Sequence, residues 1–139
     1  MKARKIGNDF IIRLEKGDKI IESLKKFCTE NRIKLGYFTG LGAVSTATLA
    51  HYTVENKKYT EKTFSEPLEI IQLNGNITEM EGKPYLHAHI ILSKKSMEAV
   101  AGHLVEGTVS ATCEIVLRTL KGRVGRKRNE EIGLNLMDI

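Results

Sequence analysis

One switch in residue pattern constrains this chain more than any other feature. Helical periodicity is clear once, early, and then gives way to β-rich runs. Ile20, Ile21, Leu24, Phe27 and Cys28 recur at helical spacing, while Glu22, Ser23, Lys25 and Lys26 fill the other side. That spacing predicts an amphipathic helix of about three turns with its apolar stripe on a sheet. Asp18 stands where a carboxylate could accept from the free amides of the first turn, so it is the expected N-cap. Before the helix, Phe10 to Leu14 reads as a strand. After it, Val44 to Val54, Leu68 to Thr78, Tyr85 to Ser93 and Val109 to Leu120 are rich in β-formers. Gly75, Gly82 and Gly107, with the pairs Asn56-Lys57 and Lys94-Lys95, punctuate these runs. Ser96 to Val100 is expected to form a short second helix capped by Ser96, and Ile132 to Leu136 a closing strand. Six to eight strands with short connections predict an α+β domain whose sheet is mostly antiparallel.

Composition narrows the function classes. A chain of 139 residues with 41% apolar and 28% charged residues suits one globular domain, taken as residues 1–139. Trp is absent and aromatics are 6%, which argues against a wall of stacking residues for bases or sugars. No apolar run approaches the roughly 20 residues that span a bilayer. The basic start, Met1 to Lys5, has no apolar run behind it, so the expected location is cytoplasmic. Cys28 and Cys113 sit in apolar patterns and read as buried free thiols in a reducing compartment. The net charge is +5, and Lys121, Arg123, Arg126, Lys127 and Arg128 account for all of it. The chain is therefore a neutral domain with one basic segment, read as a solvated loop or as a phosphate or nucleic-acid contact.

The segment that points to chemistry is Tyr85-Leu-His-Ala-His-Ile-Ile-Leu92. In a strand, Leu86, Ala88, Ile90 and Leu92 take one face, and His87 and His89 project from the other. Two imidazoles at i and i+2 have Cβ atoms about 7 Å apart, within reach of one shared cation. His103 follows 14 residues after His89. Three neutral imidazoles suit Zn²⁺, which keeps a fourth position for water or substrate. Glu69 and Glu114 are acids inside apolar strands. They read as a solvated strand face, or as a general base or second-sphere acceptor near a metal. Arg118 shares the face of Glu114 and could pair with it or hold an anionic substrate. His51 reads as structural. The run Thr39-Gly-Leu-Gly-Ala-Val-Ser45 lacks the third glycine and following helix of a dinucleotide fingerprint. Its glycines, placed between strands, are read as permitting positive φ or a close backbone approach.

Together these pieces resemble a known family. Gly17-Asp18 with its helix, Thr39 to Ser45, Leu68-Glu-Ile-Ile-Gln-Leu-Asn-Gly75, Leu86-His-Ala-His89, and Gly102-His-Leu104 with Gly107 resemble the PPC (plants and prokaryotes conserved) domain. The likeness is to its stand-alone prokaryotic form. The resemblance implies a curved, mostly antiparallel sheet flanked by one or two helices, similar in fold to acetolactate decarboxylase. It implies a homotrimer, and a metal, usually zinc, on His87, His89 and His103. Plant members are nuclear DNA-binding proteins in which AT-hooks contact the DNA. Ala101 and Leu68 depart from the residues usual in the family, so plant-type partners are not expected.

Two functions follow as expectations. The first is a trimeric zinc protein acting on or sensing a small anionic molecule, with Glu69 or Glu114 moving protons and Arg118 or Lys121 neutralising the ligand. The second is DNA association through the segment 121–128, with a structural metal. A plain trimeric scaffold stands behind both.

Overall fold

The computed structural model describes residues 1–139. Nine strands and one helix follow the order β1 (Lys2–Ile6), β2 (Asp9–Glu15), α1 (Ile20–Glu30), β3 (Gly36–Thr53), β4 (Lys58–Phe64), β5 (Leu68–Met80), β6 (Lys83–Ser93), β7 (Ala99–Thr119), β8 (Gly125–Asn129) and β9 (Leu134–Asp138). The strands form one sheet that is antiparallel apart from a single β5–β8 bridge, Glu79 to Gly125. The long strands change partners along their length. β3 pairs with β5 on one side and β7 on the other, and beyond Val44 with β7 and β4. β6 joins β5 to β7. Strands β3, β5, β6 and β7 therefore close on themselves as a ring. Register shifts near Gly40, Gly42 and Val44 bend β3 as it turns the corner. The glycine run thus lies inside one strand of 18 residues, and a Cβ at Gly40 or Gly42 would meet the β7 backbone.

A cluster of 27 buried side chains forms the core and includes Phe38, Leu73, Ile90, Ile115 and Leu117. α1 lies across β7 and β6 and buries Ile20, Ile21, Leu24, Phe27 and Cys28. Each large side chain among these contributes about 1.5–3 kcal/mol by leaving water. Both cysteines are free and buried, and burial pushes each thiol up to about 12.

Two local expectations are corrected. Asp18 does not cap α1. The N-cap is Lys19, without a side-chain cap bond. Asp18 Oδ2 accepts from the Glu15 amide at 2.8 Å and meets the chain's terminal ammonium at 2.8 Å, so it holds the turn after β2 instead. The helix amides are satisfied from β7: Glu106 accepts from Ile21 N at 2.9 Å and from Glu22 N at 3.1 Å. The second helix is also absent. Ser93 pairs with Ala99 across the β6–β7 ladder, which leaves too few residues between them for a helix. Met97 N donates to Lys94 O, and Lys94 N to Glu98 O, both at 2.9 Å, closing a hairpin turn.

Candidate metal centre

Strand alternation places two of the three histidines. Leu86, Ala88, Ile90 and Leu92 are buried in the core, so His87 and His89 point to the other face. Register places the third. His103 lies directly opposite His89 in the β6–β7 ladder, and opposed residues of an antiparallel pair share a face. The three ring centroids are 5.1, 5.2 and 5.6 Å apart. One nitrogen from each ring falls within 4.8 Å of the others. His87 Nε2 and His89 Nε2 are 3.2 Å apart. Two nitrogens on a tetrahedral Zn²⁺ would be about 3.3 Å apart, from Zn–N lengths near 2.05 Å.

Two of the rings are held neutral. Burial, with the charges of His103, His89 and Arg126, pushes His87 down to about 4. Burial and His89 also lower His103. Both rings are thus held in the neutral form that ligates metals. The buried Nδ1 of His103 has no partner within the protein. Three converging ring nitrogens, with the buried Nδ1 of His103 unsatisfied, fit a divalent, nitrogen-preferring cation.

The cluster opens into a cavity of about 830 Å³, within the range of small-molecule sites. Ala50, Tyr52, Tyr59 and Glu61 from β3 and β4 form one side, and Ile21 and Lys25 of α1 another. The β8–β9 hairpin supplies Arg126, Leu134, Asn135, Leu136 and Met137. Tyr52 Oη fixes this hairpin's turn by donating to Ile132 O at 2.7 Å. Tyr59 lies 5.6 Å from His103 by ring centroids, and burial raises its phenol. Arg126 is half-buried. It donates from Nε to Thr78 Oγ1, from Nη1 to Asn135 O and from Nη2 to Asn76 Oδ1, each at 2.8 Å.

Comparison with known proteins now identifies the fold. The model of the Plants and Prokaryotes Conserved domain, abbreviated PCC or PPC, matches residues 1–121. The chain belongs to this family. Among solved structures, a candidate DNA-binding protein from Bacteroides thetaiotaomicron is 36% identical with TM-score 0.96, covering 99% of this chain and 96% of its own. A metal-containing protein from Archaeoglobus fulgidus is 32% identical with TM-score 0.88, covering 97% and 96%. A plant- and prokaryote-conserved protein from Pyrococcus horikoshii is 30% identical with TM-score 0.90, covering 97% and 94%. A Staphylococcus aureus protein described as similar to α-acetolactate decarboxylase shares the fold alone, at 12% identity and TM-score 0.60, over 87% of this chain and 54% of that one. No curated protein matches.

Within this PPC domain the other sequence-derived candidates are scattered. Glu69 and Glu114 are exposed, opposite Ser93 and Arg13 respectively, and neither lines the cavity. The carboxylate in the cavity wall is Glu61. Arg118 Nε donates to Asp9 Oδ2 at 3.0 Å, on the exposed face. His51 is exposed at the cavity rim, outside the three-ring cluster. The basic segment is divided. Arg123 pairs with Glu79, and Arg128 lies 3.7 Å from Glu130. Arg126 turns into the cavity, while Lys121 and Lys127 are exposed. Arg126, Asn76, Tyr59 and Glu61 escaped the sequence reading as cavity residues. Asn74 and Asn76, polar at alternate positions on either side of Gly75 in β5, were the available signal.

Proposed function

We propose that this PPC domain, spanning residues 1–139, is a zinc protein whose cavity receives a small molecule. His87, His89 and His103 would hold the ion. The convergence of three imidazoles on one point carries the reading, and the metal-containing Archaeoglobus relative supports it. When bound, Zn²⁺ supplies Lewis acidity to an oxygen of the ligand. The chain's own residues shape the rest. Leu134, Leu136 and Met137 offer apolar contact, and Glu61 is the carboxylate in the wall that could carry a proton. The assembly is proposed to be a homotrimer built on the exposed sheet face. Ile11 opposes Val116 there, Val116 opposes Thr39, and Leu41 follows two residues on. Glu114 and Arg118 flank Val116 on this face and Glu69 is exposed on β5, so proton transfer by Glu69 or Glu114 and anion binding by Arg118 would need the cavity of a neighbouring subunit.

Metal content decides the first step. Purified protein is expected to carry about one equivalent of zinc per chain, and the His87→Ala/His89→Ala/His103→Ala variant almost none. Less than about 0.2 equivalents in both removes the reading.

DNA association is the second reading. It is supported by the Bacteroides relative and by one from Ralstonia eutropha, which is also a candidate DNA-binding protein. Phosphate contact through Lys121 and Lys127 predicts affinity that falls steeply between about 50 and 200 mM salt. Weak binding that ignores salt over that range counts against it.

A further inference from the structure

Arg126 has no counter-ion in its surroundings. Its three partners are a hydroxyl, a carbonyl and an amide oxygen, all neutral. A guanidinium carries five N–H donors, so two remain after these bonds. Removing a cation from water without an opposite charge is costly, yet the fold holds this one in place. Thr78, fully buried, accepts from Nε while donating to Tyr85 O. The Tyr85 ring lies 4.5 Å from the guanidinium carbon. Asn76, which accepts from Nη2, is the residue opposite His87 in the β5–β6 ladder. The cation is therefore fixed beside the histidine cluster, in the same cavity. The lining of the cavity as a whole holds two cations, Lys25 and Arg126, against one carboxylate, Glu61.

We propose that Arg126 binds the carboxylate of an organic acid whose apolar part lies against Leu134, Leu136 and Met137. This rests on reading the cavity as a small-molecule site, and it names the ligand class for that site. A carboxylate is planar and singly charged, which matches two remaining N–H groups on one guanidinium. A phosphate dianion calls for more donors than the two N–H groups that Arg126 has left. The apolar residues of β9 favour an acid with a hydrocarbon body over an inorganic anion. Arg126 and the β8–β9 hairpin lie beyond residues 1–121, the stretch the family model matches.

The test uses benzoate as the acid, benzamide as its neutral counterpart and inorganic phosphate as the competing anion. Binding to zinc-loaded and to chelator-treated protein is measured by calorimetry, with zinc content determined on each sample. Benzoate is expected to bind and benzamide not to. Arg126→Gln should weaken benzoate by about tenfold or more, the scale of a lost charge-assisted contact, with zinc content unchanged. Arg126→Lys should fall between, because an ammonium lacks the planar fork. In unaltered protein, benzoate should also protect Arg126 from modification by phenylglyoxal, read by peptide mass. That measurement stands even where a variant fails to fold. Absent benzoate binding, equal binding of benzamide, phosphate binding in its place, undiminished affinity in Arg126→Gln, or unprotected Arg126 each overturns the proposal. Arg126-dependent benzoate binding in a protein that takes up no zinc would sustain it while removing the metal reading.

Discussion

His103 shows most directly how a single residue acquires a role. In the sequence it is an isolated histidine, and only its position opposite His89 makes it a third donor. His103→Ala is expected to weaken zinc binding by about 100-fold or more, since a chelate loses one of three protein ligands. A competition titration with a chromogenic chelator reads this directly. His87 gives a pH prediction for the metal-free protein. Its folded value is about 4 against an ordinary 6.5. Below pH 6.5 the unfolded chain takes up a proton that the folded chain refuses, so stability is lost as pH falls from 6.5 towards 4. Urea midpoints of chelator-treated protein should therefore drop between pH 7.5 and pH 5. The drop should be smaller in His87→Asn, and equal drops in both proteins would contradict the assignment.

At the level of elements, the local pattern was largely readable. The five residues of the α1 stripe and the alternation of β6 both appear in the structure as the spacing predicts. Termini were less readable, because their amides are satisfied from distant parts of the chain. Glu106 lies 85 residues from Ile21, and no local signal marks it as a cap. Glu106→Ala should cost about 1–2 kcal/mol, as loss of a cap with charge-assisted bonds. Asp18→Ala should leave the helix content of the circular dichroism spectrum unchanged. Gly75 tests packing beneath the metal site. A Cβ there would overlap the ring of Phe38, which lies opposite Gly75 on β3. Gly75→Ala is therefore expected to destabilise by about 1–3 kcal/mol through overpacking, measured by denaturant unfolding.

The whole molecule is organised by a sheet that closes on itself, with its core inside and a partly apolar face outside. Leu41 is 60% exposed on that outer face, and Ile11 and Val116 are its exposed companions. If this face joins three copies, Leu41→Asp with Val116→Asp should shift the mass seen by light scattering from trimer to monomer. A monomeric unaltered protein would remove that assembly. The proposed zinc would link the site to global stability. Zinc that binds only the folded form raises the melting temperature, so a chelator should lower it in the unaltered protein and leave the triple histidine variant unchanged.

Period and chemistry along the chain were enough to establish one helix, a β-rich remainder and a pair of imidazoles on one strand face, because those follow from neighbours in sequence. Which strands adjoin, and in what register, depends on how the whole sheet closes. That closure set His103 across from His89 and folded the β8–β9 hairpin over them. It also turned Arg126, one cation in an apparently uniform basic run, away from bulk solvent and toward the histidines.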